Sequence, residues 1–168
     1  MTAPIRTLER LKNQLLSGGS RPSLRPTPWS GNSAPPEAQA AYQRIRPFAE
    51  AMYLVMAADG RLDDRERITL RGALRSLTAG VLGTGAMESM LSEFERLLAV
   101  QGLELRLDDV ASRIYGEPED RELALVLAAT VAAADDRTDS AEQRTIEALS
   151  ERLGVGKERL ESLLSGRD

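Results

Sequence analysis

Residues Ala57-Ala58-Asp59-Gly60-Arg61-Leu62-Asp63-Asp64-Arg65-Glu66 recur 76 positions later as Ala133-Ala134-Asp135-Asp136-Arg137-Thr138-Asp139-Ser140-Ala141-Glu142, with six of the ten positions identical. Val55 and Val131 extend the register upstream, and Thr69 and Thr145 extend it downstream. An internal repeat means that one supersecondary unit is used twice and that the two copies bury their apolar faces together. The fold must therefore seat two acidic turns, each preceded by an apolar run and followed by an amphipathic one.

The flanking pattern is helical. Only 4% of the 168 residues are aromatic while 42% are hydrophobic, so the core must be Leu, Ala, Val, Ile and Met, a mixture that favours helix over sheet. Apolar spacing predicts a helix over 37–58, interrupted or kinked near Pro47, and one over 63–79 with Ile68, Leu70, Leu74 and Leu77 inward. Further helices are expected over 86–100, 108–115, 119–134, 139–153 and 157–164. The run 119–134 is hydrophobic nearly all round, which marks a central buried helix. Gly60 and Gly154 suit helix ends. No stretch alternates with period two between hairpin turns. The expected body, 37–168, is all-α, a bundle of about seven helices whose halves, near 37–100 and 105–168, repeat a unit.

Residues 1–36 have a different composition. Ile5, Leu8, Leu11, Leu15 and Leu16 would share a sector of roughly 140° on a helix, with Arg6 and Arg10 opposite. From Ser17 to Pro36 the chain turns to Ser, Gly, Pro and Arg, the composition of a linker. A short amphipathic helix on such a tether is a means of docking, here through Ile5, Leu8, Leu11 and Leu15. A protein partner is expected first and peripheral contact with a membrane second. The layout also resembles the encapsulation tags of microcompartment cargo.

Cysteine and histidine are absent. Disulfides, zinc sites with Cys or His ligands, Cys nucleophiles and Ser-His-Asp triads are thereby excluded. A bound metal must take oxygen ligands, which points to Ca²⁺, Mg²⁺ or Mn²⁺. Charge is divided: 1–36 carries five basic residues and one acid, whereas 37–168 carries 17 basic and 25 acidic. An acidic body is unsuited to nucleic acid. No segment reaches the roughly 18 apolar residues of a membrane span, and the N-terminus lacks the apolar core of a secretory signal. A cytoplasmic location is expected.

Asp63 and Glu66 are spaced as a capping box, as are Asp139 and Glu142. Capping accounts for those four without any ligand. It leaves Asp59 and Asp135, each at the C-terminal end of a buried helix, where the helix dipole disfavours a carboxylate. Arg61 and Arg137 could compensate them as ion pairs, and a bound cation could do so as well. Neither turn is an EF-hand. With Glu66 at loop position 12, positions 1 and 3 are Val55 and Ala57, which offer no ligating side chains.

The run Met56 through Glu66, repeated as Ala132 through Glu142, resembles the signature of TerB-like domains, a family that includes the N-terminal domain of a membrane-anchored DnaJ-like co-chaperone. The resemblance spans about 40–164 and takes in Glu151-Arg152-Leu153-Gly154-Val155 before a short last helix. It implies an all-helical domain of about seven helices with pseudo-two-fold halves, no established reaction, and an acidic cluster that binds divalent cations in some members. By position the metal ligands are Asp59, Asp63, Glu66, Asp135, Asp139 and Glu142. Asp136 stands where the family has Gly, and Thr138 where it has an aliphatic residue.

The expectation is a non-enzymatic module that binds a divalent cation at paired acidic turns, mediates protein contacts and serves a stress response. The alternative is a metal-free adaptor or cargo protein docked by its N-terminal helix, its acidic turns serving only as caps. A hydrolase using paired carboxylates would lack any accompanying nucleophile motif or phosphate loop.

Overall fold

A computed structural model describes residues 36–60, 62–134 and 140–165. The expected N-terminal helix, Trp29, Arg61, Arg137, Asp135 and Asp139 lie outside these residues. Seven helices follow in order: α1 (Pro36–Met56), α2 (Asp64–Leu77), α3 (Thr84–Gln101), α4 (Leu103–Ile114), α5 (Pro118–Ala133), α6 (Ser140–Arg152) and α7 (Lys157–Ser165). Among the described residues there is no strand, and the expected all-α bundle stands.

The centre of the bundle is α1. Every residue from Phe48 to Ala57 is buried, and the helix touches α2, α3, α4, α5 and α6. Its closest partner is α5. The sequence points instead to 119–134 as the central helix. That segment, α5, buries Leu123, Ala124, Leu125, Ala128, Val131 and Ala132 but leaves Thr130 exposed. Composition alone cannot separate two helices this apolar, each of which touches five others; α1 is the one buried without a break, from Phe48 to its end at Met56. Pro47 does not interrupt α1, which runs unbroken through it. The carbonyl deprived of its partner is that of Gln43, an exposed residue that water can serve.

Two further expectations are corrected. Ile68 points outward, 66% exposed, while Leu70, Leu74 and Leu77 form the buried stripe of α2. The helix expected over 108–115 begins five residues earlier, at Leu103. Gly102, with φ 79°, both ends α3 and starts α4. The obscuring residue is Arg106. It occupies the inward face of α4 together with Leu107, Val110, Ala111 and Ile114, where the pattern expects an apolar side chain.

Arg106 is buried because Glu50 of α1 is buried opposite it. Its Nε donates to Glu50 Oε1 at 2.8 Å, and a terminal nitrogen donates to the same oxygen. That same terminal nitrogen also donates to Asp109 Oδ2 at 2.8 Å, and the other terminal nitrogen donates to Gln101 Oε1 at 2.9 Å. One guanidinium thus ties α1, α3 and α4 together. Burial pushes the Glu50 carboxyl up from its usual range, partly offset by the hydrogen bond and charge of Arg106 and by Arg46.

A buried ion pair adds little net stability, and Glu50 Oε2 is buried without a hydrogen-bond partner, yet removing one member of the pair strands the other. Glu50→Ala should lower the unfolding free energy by about 3–5 kcal/mol in urea denaturation. Glu50→Met combined with Arg106→Met should recover most of that loss, because no buried charge remains.

Candidate functional site

The first acidic turn is built by backbone geometry. Ala57 still donates to the Tyr53 carbonyl at 2.8 Å, and Gly60 donates to the Ala57 carbonyl at 2.8 Å. Gly60 holds φ 108°, a conformation that side chains with a Cβ rarely adopt, and this turns the chain out of α1. Asp59 therefore sits three residues past the last helical residue, Met56, and is exposed. Clear of the last helical turn, it meets less of the dipole penalty than the sequence reading supposes.

Asp63 then caps α2. The Glu66 N–H donates to Asp63 Oδ1 at 2.8 Å, and the Asp63 N–H donates to Glu66 Oε2 at 2.6 Å. This is the reciprocal capping box expected from the spacing. Both side chains are held in place by the start of the helix they stabilise.

In the second copy, Glu142 lies in the first turn of α6, as Glu66 lies in the first turn of α2. Glu142 is 7% exposed and counts among the buried charged residues, whereas Glu66 is half-buried. Next to it, Thr145 is also buried and donates its hydroxyl hydrogen bond to the Ala141 carbonyl at 2.9 Å. Asp135 and Asp139 fall outside the described residues, so the structure positions four of the six sequence-derived ligand candidates.

The four are electrostatically connected. Burial raises the Glu66 carboxyl above its usual range, and the hydrogen bond from the Asp63 N–H pulls it back. The charges of Asp63, Asp59 and Glu142 push it up further. Glu142 belongs to the other copy of the repeat, 76 positions away. The first turns of α2 and α6 are therefore within electrostatic reach of one another. Among the described residues, no three carboxylates stand together as a ready ligand set. A complete set would need oxygens from the 135–139 turn.

Among the described residues, an all-helical bundle brings Glu142, from the second copy of the sequence motif, within electrostatic reach of Glu66 in the first. Residues 47–164 match the family described as Tellurite resistance protein TerB, a span that includes both turns, and the chain belongs to that family. No curated protein and no solved structure matches it.

The raised Glu66 carboxyl fixes the sign of a pH effect. A group whose value is raised on folding adds stability below its unfolded value, about 4.3 for Glu, and that stability is lost as pH rises through the folded value. At neutral pH the Glu66 charge therefore opposes folding. Glu66→Gln keeps an acceptor for the Asp63 N–H and removes the charge. Without divalent ions, it should be at least as stable as wild type at pH 7, and the advantage should shrink towards pH 4. Urea midpoints at the two pH values measure this; a variant clearly weaker at pH 7 contradicts it.

Proposed function

We propose that this protein is a non-enzymatic TerB-like module that binds a divalent cation between its two acidic turns and mediates protein contacts. The observation that carries the reading is the convergence on Glu66 of charge from Asp63, Asp59 and Glu142. Folding brings carboxylates of both repeat copies within reach of one another, and a cation is the ligand that relieves this. The ligand set proposed is Asp59, Asp63, Glu66, Asp135, Asp139 and Glu142. Oxygen-only ligation suits Ca²⁺, Mg²⁺ or Mn²⁺.

Protein contact is assigned to the N-terminal segment through Ile5, Leu8, Leu11 and Leu15, with the acidic body as its carrier in the cytoplasm. The family's description connects its members to tellurite resistance, which supports a role in a stress response. The capping box at Asp63 and Glu66 favours a second reading, a metal-free adaptor or cargo protein whose acidic turns only start helices.

Thermal denaturation with Ca²⁺, Mg²⁺ or Mn²⁺ separates the two readings. A bound ion at a hundred times its Kd adds about 2.7 kcal/mol of stability. Asp59→Asn combined with Asp135→Asn should abolish the resulting shift in Tm. Asp63→Ala should cost about 1 kcal/mol even without the ion, through the lost cap. If no divalent ion shifts the Tm of the wild-type chain, capping is the whole role of the acids.

A further inference from the structure

Arg67, Arg71 and Arg75 stand one turn apart along α2, and all three reach α3. Arg67 donates to Glu95 Oε2 at 3.2 Å and lies 3.8 Å from Glu88 Oε2. Arg71 forms an ion pair with Glu88, and Arg75 donates to Thr84 Oγ1 at 3.4 Å. Successive arginines thus meet residues progressively earlier in α3, so the two helices run antiparallel along a polar seam. Water already reaches that seam, since the side chains of Glu88 and Glu95 are 35% and 57% exposed. Ion pairs of this kind exchange for water at little cost. An apolar contact does not.

Elsewhere α2 packs on α1 and α5, and it enters the core only through Leu70, Leu74 and Leu77. Three buried residues are fewer than in any other internal helix: α3, α4, α5 and α6 bury five or six each, and α1 buries more. Both flanks of α2 are turning points. Gly60 precedes it with φ 108°, and Ala79 and Gly80 follow it with φ 49° and 77°. Among the described residues, Ala79 is the one residue other than glycine with positive φ. A side chain with a Cβ is strained there, and any motion that lets the chain relax relieves that strain.

We propose that α2 is a hinged strap that swings between Gly60 and Ala79–Gly80 while the other helices stay packed, with the arginine seam to α3 as its latch. Opening replaces the ion pairs with water and uncovers Leu70, Leu74 and Leu77. It also carries the Asp63–Glu66 cap away from the rest of the bundle. Glu66 meets the charges of Asp63, Asp59 and Glu142 in the closed state, and the share that comes from Glu142 is lost when the strap swings out. The strap is a property of the fold and needs no bound cation.

Native-state hydrogen exchange on the full chain, in EDTA and over urea concentrations below the unfolding transition, tests this. The amides of Leu70, Leu74 and Leu77 should have opening constants at least about tenfold larger than those of Ala51, Leu54 and Val55 in α1, with a weaker dependence on urea, because local opening exposes less surface. Glu88→Gln combined with Glu95→Gln should raise the α2 opening constants about threefold or more. Glu122→Gln removes the ion pair of α5 with α7, where Arg159 Nε donates to Glu122 Oε1 at 2.8 Å. It should leave α2 exchange unchanged, because that contact survives a local opening. Equal opening constants and equal urea dependence in α1 and α2 overturn the proposal. So does a latch variant that exchanges like wild type, or a Glu122→Gln variant that accelerates α2 as much as the latch variant does. EDTA removes divalent ions, so none of these outcomes depends on whether the acidic turns bind a cation.

Discussion

Burial of the second half of α1 is the constraint on which the other elements depend. Ten consecutive residues, Phe48 to Ala57, lose their solvent, and no single neighbouring helix could achieve that. Five helices have to surround the segment, with α5 as the main contact. Small side chains make this possible: Ala49, Ala51 and Ala57 let neighbours approach, and Met52, Leu54, Val55 and Met56 fill the space between them. Tyr53 adds an aromatic contact, its ring 5.7 Å from that of Phe94. The one charge in the stretch, Glu50, has to bring its own counterion, and Arg106 is that counterion.

That burial also positions the chemistry. A helix fixed on all sides can release the chain at only one place, and α1 does so at Gly60, between Asp59 and Asp63. Asp59 and Asp63 therefore emerge at a defined end of the bundle. The second copy delivers Glu142 to a place where Glu66 senses its charge. Like charges brought together by folding work against folding. The capping box holds Asp63 and Glu66 there in spite of that repulsion, since both carboxylates satisfy backbone N–H groups that would otherwise lack partners. Capping and the proposed cation binding are thus compatible: the cap fixes carboxylate oxygens of Asp63 and Glu66 and leaves their mutual repulsion uncompensated.

Much of the fold and part of the site were legible in the sequence. Helix ends marked by Gly60 and Gly154 were readable because each residue has a local conformational reason to be there. The capping box was readable from spacing alone, since both of its hydrogen bonds lie within four residues. The buried Glu50–Arg106 pair was not, because each residue in isolation looks like a solvated charge. The only signal was a basic residue on the apolar face of 103–114 matched by an acidic one on the apolar face of 37–58, and local periodicity gives no means of pairing two such breaks across 56 residues. Ile68 misled for the opposite reason: its apolar side chain fits a helical stripe, but tertiary packing turned that edge of α2 to solvent. The electrostatic reach between Glu66 and Glu142 could not be derived from the repeat itself, which dictates two similar turns but not their separation.

The convergence of the two turns is tested most directly by a double-mutant cycle between Glu66 and Glu142. Glu66→Gln, Glu142→Gln and the pair together would be compared by urea denaturation at pH 7 without divalent ions. If the two carboxylates repel one another in the folded protein, the pair is non-additive by more than about 0.5 kcal/mol, because either substitution alone relieves the same repulsion. Additivity within about 0.3 kcal/mol would show two independent turns and contradict a shared site.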